Sequence, residues 1–91
     1  MKKIVYIAGP ITGVENYRVA FYDAAENLED LGYTVLSPAV LPSGLTEEQY
    51  MTIDFAMINV ADAVYFLPGW ENSRGATLER AYCEYTGKAV M

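Results

Sequence analysis

With 91 residues the chain is long enough for one small domain, 1–91, and its 53% hydrophobic content makes that domain globular rather than disordered, with no run near the ~18 apolar residues of a membrane span. A net charge of −6 argues against a nucleic-acid polymer as partner, but leaves room for a small anionic ligand met by local N–H groups or by Arg74. The absence of histidine excludes Ser-His-Asp and Cys-His catalysis and the common zinc sites, and a single cysteine, Cys83, excludes a disulfide within the chain.

Residues 3–8 (KIVYIA) form a continuous β-branched run, the mark of a strand buried on both faces. The stretch before it is too short for a signal peptide, so a cytoplasmic location is expected. The turn GPITG breaks the strand at residues 9–13. Residues 16–31 then carry an amphipathic helix, with Tyr17, Ala20, Phe21, Ala24, Leu28 and Leu31 inward and Gly32 as its stop. Residues 33–36 give a second strand, ended by Ser37-Pro38. After a loop with Pro42 and Gly44, the capping box Thr46-Glu47-Glu48-Gln49 starts a helix over 46–61. Residues 62–67 (DAVYFL) are the third strand, and a Gly- and Asn-bearing loop over 68–74 opens a third helix over 75–86, closed by Gly87. Residues 88–91 are a short last strand.

This alternation predicts an α/β fold with three layers (α/β/α) and a four-stranded parallel sheet in the order 2-1-3-4, Rossmann-like or flavodoxin-like. Ligands in such sheets sit beyond the carboxyl ends of the strands where the order reverses, here between the first and third strands. Both glycine-containing loops, 9–13 and 68–75, emerge at that point.

Two carboxylates break the apolar pattern. At about 100° per residue, Tyr50, Met51, Ile53, Phe55, Met57, Ile58, Val60 and Ala61 make one apolar arc, and Asp54 projects from its middle. In the third helix Leu78, Ala81, Tyr82, Cys83 and Tyr85 make the expected buried face, with Glu79 pointing between Tyr82 and Cys83. A carboxylate facing a core costs several kcal/mol unless it is paired, neutralised or lining a cavity. Two of them on different helices suggest a site where carboxyl groups do chemistry. No other acid–base or nucleophilic groups remain but tyrosine and lysine, and Cys83 on the apolar side reads as a plain core thiol.

The loops are less specific. GPITG is neither a Walker loop nor GxGxxG, and a tight turn explains it as well as a ligand does. PGWENSRG leads into a helix N-terminus, where Ser73 and Gly75 let a phosphate approach, although Ser73 as a plain N-cap is an equal reading. Trp70 reads as a base-stacking group or, preferably, a subunit contact. Tyr6 sits mid-strand as core, with a hydroxyl that needs a partner.

YIAGPITG at the start, Asp54 in the helix before ADAVYFLPG, and SRGATLE near the end together resemble the nucleoside 2-deoxyribosyltransferase superfamily over nearly the whole chain. The resemblance implies Glu79 as nucleophile, Asp54 as the helix acid and Tyr6 as the tyrosine that orients the nucleophile. It also implies substrate contacts from Gly9, Pro10, Ile11 and Gly13 in the first turn and from Ser73 and Gly75 in the later loop. Where the base-swapping transferases carry an Asp six residues before the nucleophile, this chain has Ser73, as in the 2-deoxynucleoside 5′-monophosphate N-hydrolase branch. That branch carries an arginine where Thr12 stands here. Family enzymes run past the fourth strand, and this sequence, ending at Met91, is closest to short phage-type relatives.

The expected function is cleavage of the N-glycosidic bond of a 2-deoxynucleoside 5′-monophosphate, or base exchange on a deoxynucleoside, through a glycosyl-enzyme on Glu79. No metal or organic cofactor is expected. The alternatives are a nucleotide-binding or sensing module without turnover, and a small interaction protein. A homodimer or larger homo-oligomer is expected from the small core, with Tyr17, Tyr22 and Trp70 as contact candidates.

Overall fold

Side chains alternate along a strand, so in IVYIA Val5 and Ile7 must face one layer and Tyr6 and Ala8 the other. The computed structural model, which describes residues 2–91, has this arrangement; Met1 of the expected N-terminal run lies outside the described residues. Strand β1 (Ile4–Ala8) runs parallel to β2 (Thr34–Leu36) on one side and to β3 (Ala63–Phe66) on the other, and β4 (Ala89–Val90) pairs parallel with β3. The sheet order is β2-β1-β3-β4, as expected.

Helix α1 (Tyr17–Asp30) covers one face, where Phe21, Ala24 and Leu28 meet Val5, Ile7, Ala39 and Leu67. Helices α2 (Glu47–Val60) and α3 (Arg74–Thr86) cover the other, where Ile58 and Cys83 meet Tyr6, Ala8, Ala61 and Val64. A stack of Phe55 on Tyr82, with ring centroids 4.5 Å apart, and a 2.6 Å hydrogen bond from the Tyr82 hydroxyl to Asn59 Oδ1 join α2 to α3.

Three helix phases differ from the sequence reading. In α1, Ala20 is exposed and Leu31 is 74% exposed, while Ala25 packs on the core in their place. The helix ends at Asp30, and the turn through Gly32, at φ +98°, swings Leu31 outward. In α2, Val60 is exposed because the helix leaves the sheet at its last turn, before Ala61 re-enters the core. In α3, Leu78, Ala81 and Tyr85 are exposed, Tyr85 at 90%, and the buried row is Ala76, Glu79 and Cys83. That row is spaced three and four residues apart, so the acid stands at the centre of the buried stripe rather than at its border.

The two ends of the sheet are fixed differently. At the amino end Asp62 accepts from Ile4 N through Oδ2 and donates its own N–H to the Ile4 carbonyl, both at 2.8 Å. At the carboxyl end the chain leaves β1 through Gly9, where a Cβ would lie 2.8 Å from Leu67 Cδ1 and 2.9 Å from Leu67 Cβ. Only glycine lets the first and third strands splay into loops at that separation, and the opening between those loops is where the site forms.

Candidate active site

Helix α2 takes its phase from its cap. Thr46 Oγ1 accepts from Gln49 N at 3.1 Å and Gln49 Oε1 accepts from Thr46 N at 2.9 Å, the reciprocal pair that the sequence predicted. Counted from that cap, Glu47, Met51 and Asp54 fall on one face, spaced four and three residues apart, and that face lines an open cleft of about 800 Å³. Helix α3 starts at Ser73, whose Oγ accepts from Ala76 N at 3.2 Å, and presents Arg74, Gly75, Leu78 and Glu79 to the same cleft. Gly9, Ile11 and Thr12 close it from the first loop, and Pro38, Leu41 and Ser43 from the loop after β2.

The three residues expected to do chemistry come together at its base. Tyr6, fully buried at the centre of β1, donates its hydroxyl proton to Glu79 Oε2. Glu79 is 4% exposed and Asp54 8% exposed. Asp54 Oδ1 is buried with no hydrogen-bond partner among the described residues.

These surroundings set the protonation. Burial pushes the Asp54 carboxyl up to about 6, against the opposing pull of the neighbouring Tyr6 and Glu79 groups. Burial pushes Glu79 up to about 8, the Tyr6 hydroxyl draws it back, and the charge of Asp54 raises it again. The Tyr6 phenol is raised far above its usual range by burial and then by the negative charge of Glu79, so it remains a donor. The pair thus shares one proton between about pH 6 and about pH 8. Burial keeps that proton on Glu79 even against the Tyr6 hydrogen bond, with the bare Oδ1 of Asp54 beside it.

Of the binding residues expected from sequence, Gly9, Ile11, Ser73 and Gly75 line the cleft, and Pro10 and Gly13 do not. Pro10 is half-buried beside the cleft, and Gly13 is exposed at φ +76°, where it turns the chain toward α1. Gly75 has space for a side chain, since a Cβ there would meet only Met51 Sδ at 3.7 Å. Trp70 lies outside the cleft, held by Phe66 at 5.2 Å and by the Arg80 guanidinium at 5.3 Å. Phe66 and Arg80 thus pack on the ring that the sequence reading offered to a base or to a subunit contact. Tyr17, the second contact candidate, packs against the core and lines the cleft. Sequence reasoning passed over the wall residues Glu47, Tyr50 and Met51, and Asn72 on the opposite loop. The signal for the first three was available: they lie one and two turns before Asp54 on its own helix face.

Cys83, four residues after Glu79, is fully buried, and burial raises its thiol. No group of three or more His, Cys, Asp or Glu side chains among the described residues is placed to hold a metal ion. No helix among them is long and apolar enough to cross a membrane.

Comparison with known proteins bears on the whole chain. A 2-desoxiribosyltransferase from Leishmania mexicana superposes with a TM-score of 0.76 at 20% identity, over 98% of this chain and 62% of that one. At that identity the match establishes a common fold, and this chain spans less than two thirds of the length of the enzyme it matches. No curated protein matches it. A family model described as a domain of unknown function, DUF4406, matches residues 3–91. The fold and the motifs agree: the chain belongs to the DUF4406 family and is built on the fold of the nucleoside 2-deoxyribosyltransferases.

Proposed function

We propose that the protein cleaves the N-glycosidic bond of a 2-deoxynucleoside 5′-monophosphate by a retaining route. The observation that carries this reading is the trio at the base of the cleft: a buried tyrosine donating to one carboxyl, beside a second carboxyl with an unpartnered oxygen. A structural ion pair would join opposite charges, whereas two adjacent acids share a proton, which is what a nucleophile and a general acid require.

The step begins when the shared proton passes from Glu79 to Asp54; one carboxylate oxygen of Glu79 then attacks the anomeric carbon while Tyr6 holds the other. The carbon–nitrogen bond breaks as Asp54 passes its proton to the departing base. Water then attacks the anomeric carbon of the glycosyl ester, Asp54 accepts a proton from it, and Glu79 leaves as carboxylate. Ser73 and Arg74 at the start of α3 meet the 5′-phosphate, Arg74 being the one cationic residue that lines the cleft. The working unit is a homodimer through the exposed row Leu78, Ala81 and Tyr85 of α3, since Leu78 belongs both to that row and to the cleft wall.

Incubation with each deoxynucleoside and its 5′-monophosphate, followed by chromatography for free base, tests the reading. Release by the parent protein and its loss in Glu79→Gln is the expected result. Asp54→Asn should slow release by roughly 10²–10⁴ for a neutral base. Binding of nucleotides without release of base would assign the chain instead to the nucleotide-binding modules, and release only in the presence of a second base would make it a transferase.

A further inference from the structure

We propose that the substrate of this cleft carries a delocalised positive charge on its base, as an N-alkylated purine or a pyridinium does, and that Glu47 and Glu48 select it. The proposal rests on the glycosidic reading above and adds a substrate class to it.

The cleft is unevenly charged. Four carboxylates line it, Glu47, Glu48, Asp54 and Glu79, against one cation, Arg74. Three of the four belong to α2, where Glu47 and Asp54 share one face. Among the described residues neither Glu47, Glu48 nor Arg74 has an ion-pair partner within 4.0 Å, the one such pair being Arg80 with Glu84. A second observation concerns hydrogen bonding rather than charge. Asp54, 8% exposed, lines the cleft, and its buried Oδ1 has no hydrogen-bond partner among the described residues. A neutral base offers this wall few donors, and an anionic group is repelled by it. A flat cation answers both features, because it compensates the α2 carboxylates and finds Tyr50 and the thioether of Met51 among the lining groups. The anionic end of the same substrate is served by Arg74 and the first turn of α3.

The chemistry is consistent with that polarity. When Glu79 bonds to the anomeric carbon, the electron pair of the breaking carbon–nitrogen bond returns to the charged ring and neutralises it. The base departs neutral and takes no proton, so Asp54 releases the shared proton to solvent and then accepts one from the water that opens the ester.

Calorimetry on the Glu79→Gln protein, in which turnover is blocked, separates binding from reaction. The probes are an N7-methylated purine 2′-deoxynucleoside 5′-monophosphate, its unmethylated parent, and a pyridinium 2-deoxyriboside 5′-monophosphate, all at pH 6 and low salt. At least tenfold tighter binding of a cationic probe than of the neutral parent is expected, and which cation binds tighter identifies the source. The cationic-to-neutral ratio should fall at least threefold when Glu47→Gln and Glu48→Gln are added, and again at high salt. Equal affinities, or a ratio unmoved by the two substitutions, would overturn the inference. Base release by the parent protein tests the glycosidic reading separately, so the two can fail independently.

Discussion

Tyr6 and Glu79, 73 positions apart in the chain, share a hydrogen bond inside the core, with the phenol as donor and one carboxylate oxygen as acceptor. The bond joins the central strand to the middle of α3 and leaves the other oxygen of Glu79 free of that bond. Tyr6→Phe keeps the ring that fills the core and removes only the donor. The carboxylate of Glu79 then loses its stabilising partner, so turnover should drop roughly 10–100-fold and the acid limb of the pH profile should move upward. A variant with the parent's pH profile would show that the hydroxyl is structural alone.

The shared proton predicts a bell-shaped rate. Activity should rise as the pair loses its first proton through about pH 6 and fall as it loses its second through about pH 8. Stability has the opposite slope. Both carboxyls hold protons more tightly folded than unfolded, from ordinary values of 3.8 and 4.5 up to about 6 and about 8. The stability these two carboxyls contribute is therefore present in full below pH 4 and is lost as pH rises to about 8. Thermal melts of the parent and Glu79→Gln at pH 5 and pH 8.5 check this, with the variant expected to lose much less on the alkaline side.

Ser73 stands at the N-terminus of α3 on the cleft wall, where an acid would face a 5′-phosphate. Ser73→Asp keeps the cap, since aspartate accepts from the same backbone N–H, and adds a negative charge. The parent should prefer monophosphates to nucleosides by kcat/KM and the variant should reverse that order. Equal values for both substrates in the parent would remove the phosphate from the proposal.

Gly9→Ala tests the splay of the two loops. Its Cβ would meet the branch of Leu67 at 2.8–2.9 Å, with Leu67 itself buried in the α1 layer. A destabilisation of about 1–3 kcal/mol is expected from such overpacking, read by denaturant titration. Gly75→Ala has ordinary space beside Met51 and should leave stability nearly unchanged or raise it slightly.

Light scattering tests the assembly. The parent should run as a dimer at micromolar concentration, and Leu78→Arg with Tyr85→Arg should release a folded monomer of about half the mass. A parent protein that is already monomeric would remove α3 as an interface.

The sheet order and both acids were legible because each rests on a strong local signal: a β-branched run, a capping box, a carboxylate in an apolar arc. The errors lie where a helix contributes a face that the sequence makes apolar and the fold leaves outside. Cys83, Tyr82 and Glu79 face inward as expected, but Leu78, Ala81 and Tyr85 outweigh Ala76 in hydrophobicity and so drew the expected buried face of α3 too wide. Glu79 was marked by its helical phase between Tyr82 and Cys83, and again by its place in the motif. Of the first-turn contacts that the resemblance implied, Gly9 and Ile11 line the cleft, whereas Pro10 and Gly13 lie beside it.

The stacked pair Phe55 and Tyr82 has a consequence for how such a domain diversifies. Phe55 follows Asp54 directly, and Tyr82 lies three residues beyond Glu79, so the rivet between the helices sits within one turn of both acids. The spacing of the carboxyls is therefore set by folding, before any ligand arrives, and the three loops that ring the cleft bear none of that burden. New loop sequences can be exchanged over a fixed reaction centre, and substituting the Phe55 ring should widen the gap between the acids while every loop residue keeps its place.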